Sequence, residues 1–242
     1  MCTLICRWAP DATYPIRMLA LRDELASRAF DLPGAWWPDQ SSVIGGRDRQ
    51  AGGTWCASDI TTGVNAVVLN RPEKREAAPG AASRGVLPLR ALSHGERWAQ
   101  GLDVKSMAGF NLVLAGPTSL TWWSYDGQSL QRNSLVRGTY VFTPRGLTDG
   151  ADPRFDGDLD DPTRADERSF AQVWGPWLTS LRRTEPVADP TALLVEVPIE
   201  QDTYGTVFGQ FIAAQAGSLR VDYLTDPTHD RDRRWTTTYW PD

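Results

Sequence analysis

Cysteine and histidine are scarce in this sequence, with three of the first and two of the second in 242 residues. There is no CxxC, HxH or HExxH pattern, so neither a structural zinc site nor a zinc-hydrolase site is expected. Cys2, Cys6 and Cys56 are an odd number. If Cys2 and Cys6 share a strand they lie about 13 Å apart on one face, too far for a disulfide. Long apolar runs are also missing. Stretches such as Asn65 to Leu69 and Leu112 to Ala115 fall far short of the roughly 18 residues of a membrane span. Positive charge is not in excess: 25 basic against 30 acidic residues give −5, a poor balance for binding a phosphate backbone. No basic n-region followed by a long apolar stretch opens the chain, so a secretory signal is not expected. A cytoplasmic location with reduced thiols is.

What is present is ordinary globular composition, 41% hydrophobic and 23% charged, enough apolar mass for a sizeable core. The expectation is one domain over residues 1–242. Eleven tryptophans read as core or as pocket walls.

Short apolar runs, partly β-branched, and turn signals predict strands at Cys2 to Trp8, Ile16 to Leu21, Trp55 to Asp59, Val64 to Asn70, Phe110 to Ala115, Leu120 to Tyr125 and Thr139 to Thr143. Three more follow near the end, at Tyr204 to Ala213, Ser218 to Leu224 and Arg234 to Trp240. Residues 31 to 53, rich in Gly, Pro, Asp and Ser, read as a long functional loop broken by short strands. Ser83 to Gln100 predicts a helix with Val86, Leu89 and Leu92 on its apolar face, Ser83 as N-cap and Gly101 as stop. Phe170, Val173, Trp174, Trp177, Leu178 and Leu181 recur at i, i+3, i+4, i+7, i+8 and i+11, a second helix kinked at Pro176. Between them, Asp149 to Glu167 is acidic and reads as a solvated loop rather than a calcium site. Strands, helix, strands, helix, strands is the order of an α+β layered fold.

Cys2 is the most informative single residue. Methionine before a small residue is normally removed, leaving a cysteine with a free amine. Its thiolate is a strong nucleophile, and a neutral α-amine of pKa about 7.7–8.0 can serve as base. The competing reading is a small buried hydrophobe in an apolar strand.

The chain resembles the NRDE proteins, also called the transport and Golgi organization family, named for an Asn-Arg-Asp-Glu motif. Leu21-Arg22-Asp23-Glu24 keeps three of its four letters, and the chain opens Met-Cys. Gly45-Gly46-Arg47-Asp48 and Ala51-Gly52-Gly53-Thr54-Trp55 resemble the family's GGRDxxAGGTW block. Asn70 resembles its strand-ending asparagine, Ser83-Arg84-Gly85 its helix start, and Gly109-Phe110-Asn111-Leu112 its GFNL strand. The resemblance implies an N-terminal nucleophile (Ntn) hydrolase-like fold, a four-layer αββα sandwich of two mostly antiparallel sheets with Cys2 to Trp8 in an interior position. It also implies an amidohydrolase or acyltransferase with Cys2 as nucleophile, Arg22 and Asp23 orienting it and Asn70 holding the oxyanion, acting on a small amide or acyl substrate. Cys2, Asp23 and Asn70 are expected at one end of the sandwich with Arg22 or Arg47 nearby. Arg47, Asp48, Trp55 and Trp37 are candidate substrate contacts, with Trp36-Trp37 a lid or plain core. No metal and no cofactor is expected. The alternative is a binding protein that carries haem or acyl-CoA, with His94 and His229 as the available histidines. Three positions depart from the family pattern: Leu21 for Asn, Pro144 for Asn, and Val207 for the Arg of a Tyr-Gly-Thr-Arg stretch. Those departures imply a changed substrate or no catalysis.

Alternation along a strand separates Arg22 and Glu24 from Leu21 and Asp23.

Overall fold

The computed structural model describes residues 2–72, 77–148, 170–189, 192–229 and 235–241, and the backbone alone at Cys2, Ala171 and Gln172. The acidic stretch 149–167 falls outside them.

Two antiparallel sheets form the body. The first contains β1 (Cys2–Trp8), β2 (Ile16–Leu25), β10 (Gly138–Thr143), β11 (Gly146–Leu147), β12 (Glu196–Ile199), β13 (Asp202–Gln215), β14 (Ser218–Thr225) and β15 (Thr236–Trp240). Its order is β11-β10-β1-β2-β13-β14-β15, with β12 also paired to β13. The second sheet is a simple meander of β3 (Phe30–Gly34), β4 (Val43–Asp48), β5 (Cys56–Asp59), β6 (Val64–Asn70), β7 (Phe110–Gly116), β8 (Ser119–Tyr125) and β9 (Leu130–Leu135), each beside the next. Strand β1 is interior, between β10 and β2.

Period-two alternation sorts the apolar residues between the two faces of each sheet. Leu4, Cys6, Ile16 and Met18 of the first sheet meet Ile44, Leu69 and Val113 of the second in one central core. The intervening Ile5, Leu19 and Phe211 face outward and are covered by Trp174, Trp177, Leu178 and Leu181. These belong to helix α2 (Phe170–Arg183), whose apolar stripe follows the 3.6-residue spacing and includes Pro176 within the helix. Helix α1 (Val86–His94) and Trp98 cover the other face of the second sheet, against Ala66, Val68, Leu112 and Leu114. The fold is therefore α+β, as the order of elements suggests.

Helix α1 departs from its sequence reading in length and in face. It starts at Val86, after a turn in which Ser83 and Arg84 carbonyls accept the Val86 and Leu87 amides, and Gly95 at φ +57 closes it. The buried residues are Leu87, Pro88 and Ala91, with Val86, Leu89 and Leu92 half-buried. Small Ala91 and the compact ring of Pro88 allow close approach to the sheet, and Pro88 lies in the first turn, where no amide hydrogen is needed. Strands β3, β4, β9 and β12 were not individually legible. β3, β9 and β12 are short or largely exposed, and β4, though mostly buried, carries Gly45 and Gly46 where an apolar run would continue, so periodicity is weak in all four.

Candidate functional site

A pocket of about 310 Å³ opens where the end of β2 meets the β4–β5 connection, the end of β6 and the start of α1. Its size is at the small end for ligand sites. Arg22, Asp23, Glu24 and Arg28 line one side, Asp48, Ala51, Thr54 and Trp55 another, and Val68, Asn70, Ser83, Arg84 and Gly85 the rest.

The end of β2 is held from both sides. Cys2 is the ladder partner of Arg22 on β1. On β13, Arg22 pairs with Phe208 and Asp23 with Thr206, so the register slips by one residue at Val207. A bulge of this kind bends the strand and re-aims its side chains. Arg22 and Asp23 line one pocket despite being neighbours in the sequence.

Arg22 is 3% exposed. Its guanidinium lies over Phe30 at 5.0 Å and over Trp55 at 4.7 Å from the ring centroids, an arrangement that a planar cation favours. Its Nη2 donates to Asp48 Oδ2 at 3.2 Å. Asp48 is the hub of the pocket's charges. It also accepts from Arg28 Nε at 2.7 Å and Arg28 Nη2 at 3.2 Å, and from the Gln50 and Ala51 amides. Partial burial pushes its carboxyl up, but the Arg28 bonds, the Ala51 amide and the Arg22 charge outweigh this and hold it below its ordinary value. Glu24 lies within 3.9 Å of Arg22 and 3.6 Å of Arg28.

Asp23 is different. It is 2% exposed. Desolvation pushes its carboxyl up to about 7, although the Thr206 hydrogen bond and the Arg22 charge favour the ionised form. Thr206 Oγ1 donates to Asp23 Oδ1 at 2.6 Å, and Tyr204 OH donates to the Asp23 carbonyl at 3.2 Å.

Glycine brings the sequence blocks together. A Cβ on Gly46 would fall 2.3 Å from the Trp55 ring, so the GGRD segment makes room for the tryptophan of the AGGTW segment. A Cβ on Gly53 would meet the Gly85 backbone at 2.5 Å. The Thr54 amide donates to the Gly85 carbonyl across this contact at 2.9 Å. Arg84 Nη1 in turn donates to the Gly109 carbonyl at 2.9 Å, tying the start of α1 to the strand that carries Asn111. Asn111 is wholly buried and structural. Its Nδ2 donates to the Thr143 and Pro144 carbonyls, and its Oδ1 accepts from Trp122.

Of the candidate site residues, Arg22, Asp23, Asn70, Asp48 and Trp55 share this pocket. The Cys2 side chain lies outside the described residues. Arg47 and Trp37 are not in the lining. Arg47 follows Gly46 on β4 and diverges from Asp48, as adjacent strand residues must. It is 37% exposed, paired with Asp31 and stacked over Trp36 at 4.8 Å. Trp37 donates its indole N–H to the Gly52 carbonyl. Trp36 bonds the Leu32 carbonyl and is exposed, so neither tryptophan closes the pocket. Glu24, Arg28, Ala51, Thr54, Val68 and the Ser83-Arg84-Gly85 segment complete the lining. Glu24 and Ser83-Arg84-Gly85 belong to recognisable blocks, whereas Arg28 carries no signal of its own beyond its spacing of four from Glu24.

His94 and His229 are both exposed, and neither is among the lining residues. His94 bonds the Arg90 carbonyl; His229 contacts Asp226 and Glu196. Among the described residues no cluster of three or more His, Cys, Asp or Glu could hold a metal ion, and no helix is long and apolar enough to cross a membrane.

No curated protein matches the chain. The family model for Transport and Golgi organisation 2 matches residues 1–154, a span that contains every residue of the pocket lining. The NRDE-type blocks and the site they build thus coincide with the matched region, and the chain belongs to the Transport and Golgi organisation 2 family.

Proposed function

We propose that the chain is an Ntn-type cysteine amidohydrolase or acyltransferase, the two sheets and two α-helices of the described residues forming the αββα sandwich of that superfamily. The observation that carries this reading is the ladder pairing of Cys2 with Arg22, a buried cation that lines a polar pocket shared with Asp23 and Asn70.

In this mechanism removal of Met1 frees the amine of Cys2. The thiol proton passes to that amine, and the thiolate attacks the substrate carbonyl. Asn70 and nearby backbone amides hold the oxyanion. The tetrahedral intermediate collapses as the C–N bond breaks. The leaving amine takes the proton held on the α-ammonium, and a thioester remains on Cys2. Water, or an acceptor nucleophile, then gives its proton to the amine and attacks the thioester, releasing the acyl product and restoring the thiol. Arg22 favours the thiolate by its charge, and Asp23 orients the amine.

The haem-carrier alternative lacks support from the pocket. A haem takes an axial His, Cys, Met or Tyr, and the described lining offers none of these. It presents arginines and carboxylates rather than an apolar slot.

The test joins mass and activity. Intact mass of purified full-length protein is expected to show loss of Met1. Incubation with a panel of N-acyl amino acids and acyl p-nitroanilides is expected to release amine and, on acid quench, to leave an acyl adduct on Cys2. Cys2→Ser abolishes both with circular dichroism unchanged. Retained Met1, or hydrolysis that survives Cys2→Ser, overturns the reading.

A further inference from the structure

Behind Asp23 runs a short polar relay from β2 through β13 to Val195, the residue just before β12. The Val195 amide donates to Thr206 Oγ1 at 3.0 Å, and Thr206 Oγ1 donates to Asp23 Oδ1 at 2.6 Å. The Thr206 amide returns a bond of 2.9 Å to the Val195 carbonyl. Thr206 is thus held to the strand beside it through both its backbone and its side chain. A backbone amide can only donate, so Val195 takes up acceptor capacity of the hydroxyl and leaves its single hydrogen for Asp23. The whole relay is buried: Thr206 is 1% exposed and Val195 1%. The register slip at Val207 follows immediately, so Thr206 is the last residue paired to β2 before the bulge.

We propose that Thr206 is a positioning residue for the site, its hydroxyl locked as a donor by Val195 so that Asp23 is held as an acceptor in one rotamer beside Arg22. The proposal rests on the reading of Asp23 as part of the reacting site. The Tyr204-Gly205-Thr206 stretch then has a role although Val207 lacks the family's arginine. Tyr204 fixes the Asp23 carbonyl, and Thr206 fixes its carboxyl. Gly205 lets the Val195 carbonyl approach, since a Cβ there would lie 2.6 Å from it. Arg22 and Glu24, the charged neighbours on β2, act on Asp23 in opposite senses. The donor from β13 is thus one influence from outside its own strand, beside the charge of the amino terminus, that biases the carboxyl toward ionisation. A hydrogen bond to a buried carboxylate is stronger than one to the neutral acid.

The test reads Asp23 directly and does not require a substrate. Full-length protein with ¹³C-carboxyl-labelled aspartate is titrated by NMR, Asp23 being assigned from Asp23→Asn. In Thr206→Val the Asp23 midpoint is expected to rise by about one pH unit. In Thr206→Ser, which keeps the hydroxyl, it is expected to stay at the wild-type value. The pH profile of iodoacetamide capture at Cys2 is expected to change in the valine variant and to be restored by serine. A purely structural threonine would lose stability in the valine variant and leave the Asp23 midpoint unchanged, which overturns the proposal. If Thr206→Val fails to fold, the serine variant decides alone: a displaced Asp23 midpoint with the hydroxyl present overturns the assignment, and an unchanged one supports it. Failure of the amidohydrolase reading shows separately, as hydrolysis that survives Cys2→Ser while the Asp23 titration still depends on Thr206.

Discussion

Gly53 and Gly85 pack backbone against backbone, so close that a Cβ on Gly53 would lie 2.5 Å from the Gly85 carbonyl group. This contact seats the start of α1 on the β4–β5 connection, with the Thr54 amide bonding across it. Overpacking of this kind typically costs about 1–3 kcal/mol. Gly53→Ala is expected to lose stability in that range by urea denaturation and to displace Ser83, Arg84 and Gly85 from the pocket wall. Gly116→Ala, at the end of β7, serves as the contrast, since the nearest atom a Cβ there meets is Val64 Cγ2 at an ordinary 3.4 Å. There the exchange is expected to keep stability or gain up to about 1 kcal/mol. Equal effects at the two glycines would contradict the packing account.

Arg22 combines stacking with ion pairing in a nearly dry site. Arg22→Ala leaves a gap between Phe30 and Trp55 and removes one cation from Asp48. Breaking a buried pair costs about 3–5 kcal/mol. Lysine keeps the charge but cannot stack as a plane. Arg22→Lys is therefore expected to recover only part of the loss. Full recovery of the denaturation midpoint by lysine would show that charge alone matters at this position.

Asp23 gives stability a pH dependence of unusual sign for an aspartate. Its folded carboxyl titrates at about 7, above the ordinary 3.8, chiefly because of desolvation. The folded state therefore binds more protons than the unfolded one between roughly pH 4 and 7. Its contribution is fully present below the lower value and is lost as pH rises through the upper one. Unfolding free energy is expected to fall by an amount on the order of a few kcal/mol across this window. Asp23→Asn, uncharged throughout, flattens that slope. Asp48 behaves in the opposite way: its carboxyl is held low by Arg28 and its other donors, so its contribution disappears on acidification below its ordinary range. Denaturation curves of wild type and Asp23→Asn at several pH values from 5 to 8 measure the difference. Parallel slopes in the two proteins count against a buried, proton-binding Asp23.

The three thiols provide an internal comparison. Cys6 and Cys56 are both wholly buried in the central core. Burial first, and Cys56 second, push the Cys6 thiol up to about 12, far from the reactive thiolate. Brief iodoacetamide treatment of native protein at pH 7, followed by peptide mass mapping, is expected to label Cys2 and to spare the other two until the fold is opened. Preferential labelling of Cys56 or Cys6 would argue against a reactive Cys2.

Strands with near-continuous apolar runs, such as β1, β6 and β7, were legible in residue order alone, because a sheet with two covered faces demands apolar residues on both sides. The stripe of α2 was legible at helical spacing, because one face of that helix packs on the first sheet. The NRDE-type blocks carried the family and most of the pocket, since Arg22, Asp23, Asp48, Trp55 and Asn70 all lie within them or at their ends. Other features were settled only by tertiary structure. Arg47 and Asp48 are equally plausible pocket residues by composition, yet strand alternation sends Arg47 to Asp31 and Asp48 to Arg22. The buried face of α1 depended on where its first turn began, which the Gly53–Gly85 contact sets from about 30 residues away in the chain. Arg28 and Thr206 reach the site through long-range pairing, Thr206 from 183 residues beyond Asp23. Periodicity reports only on a segment's own faces, whereas the bulge at Val207 and the meeting of β2 with β13 decide which side chains share a cavity.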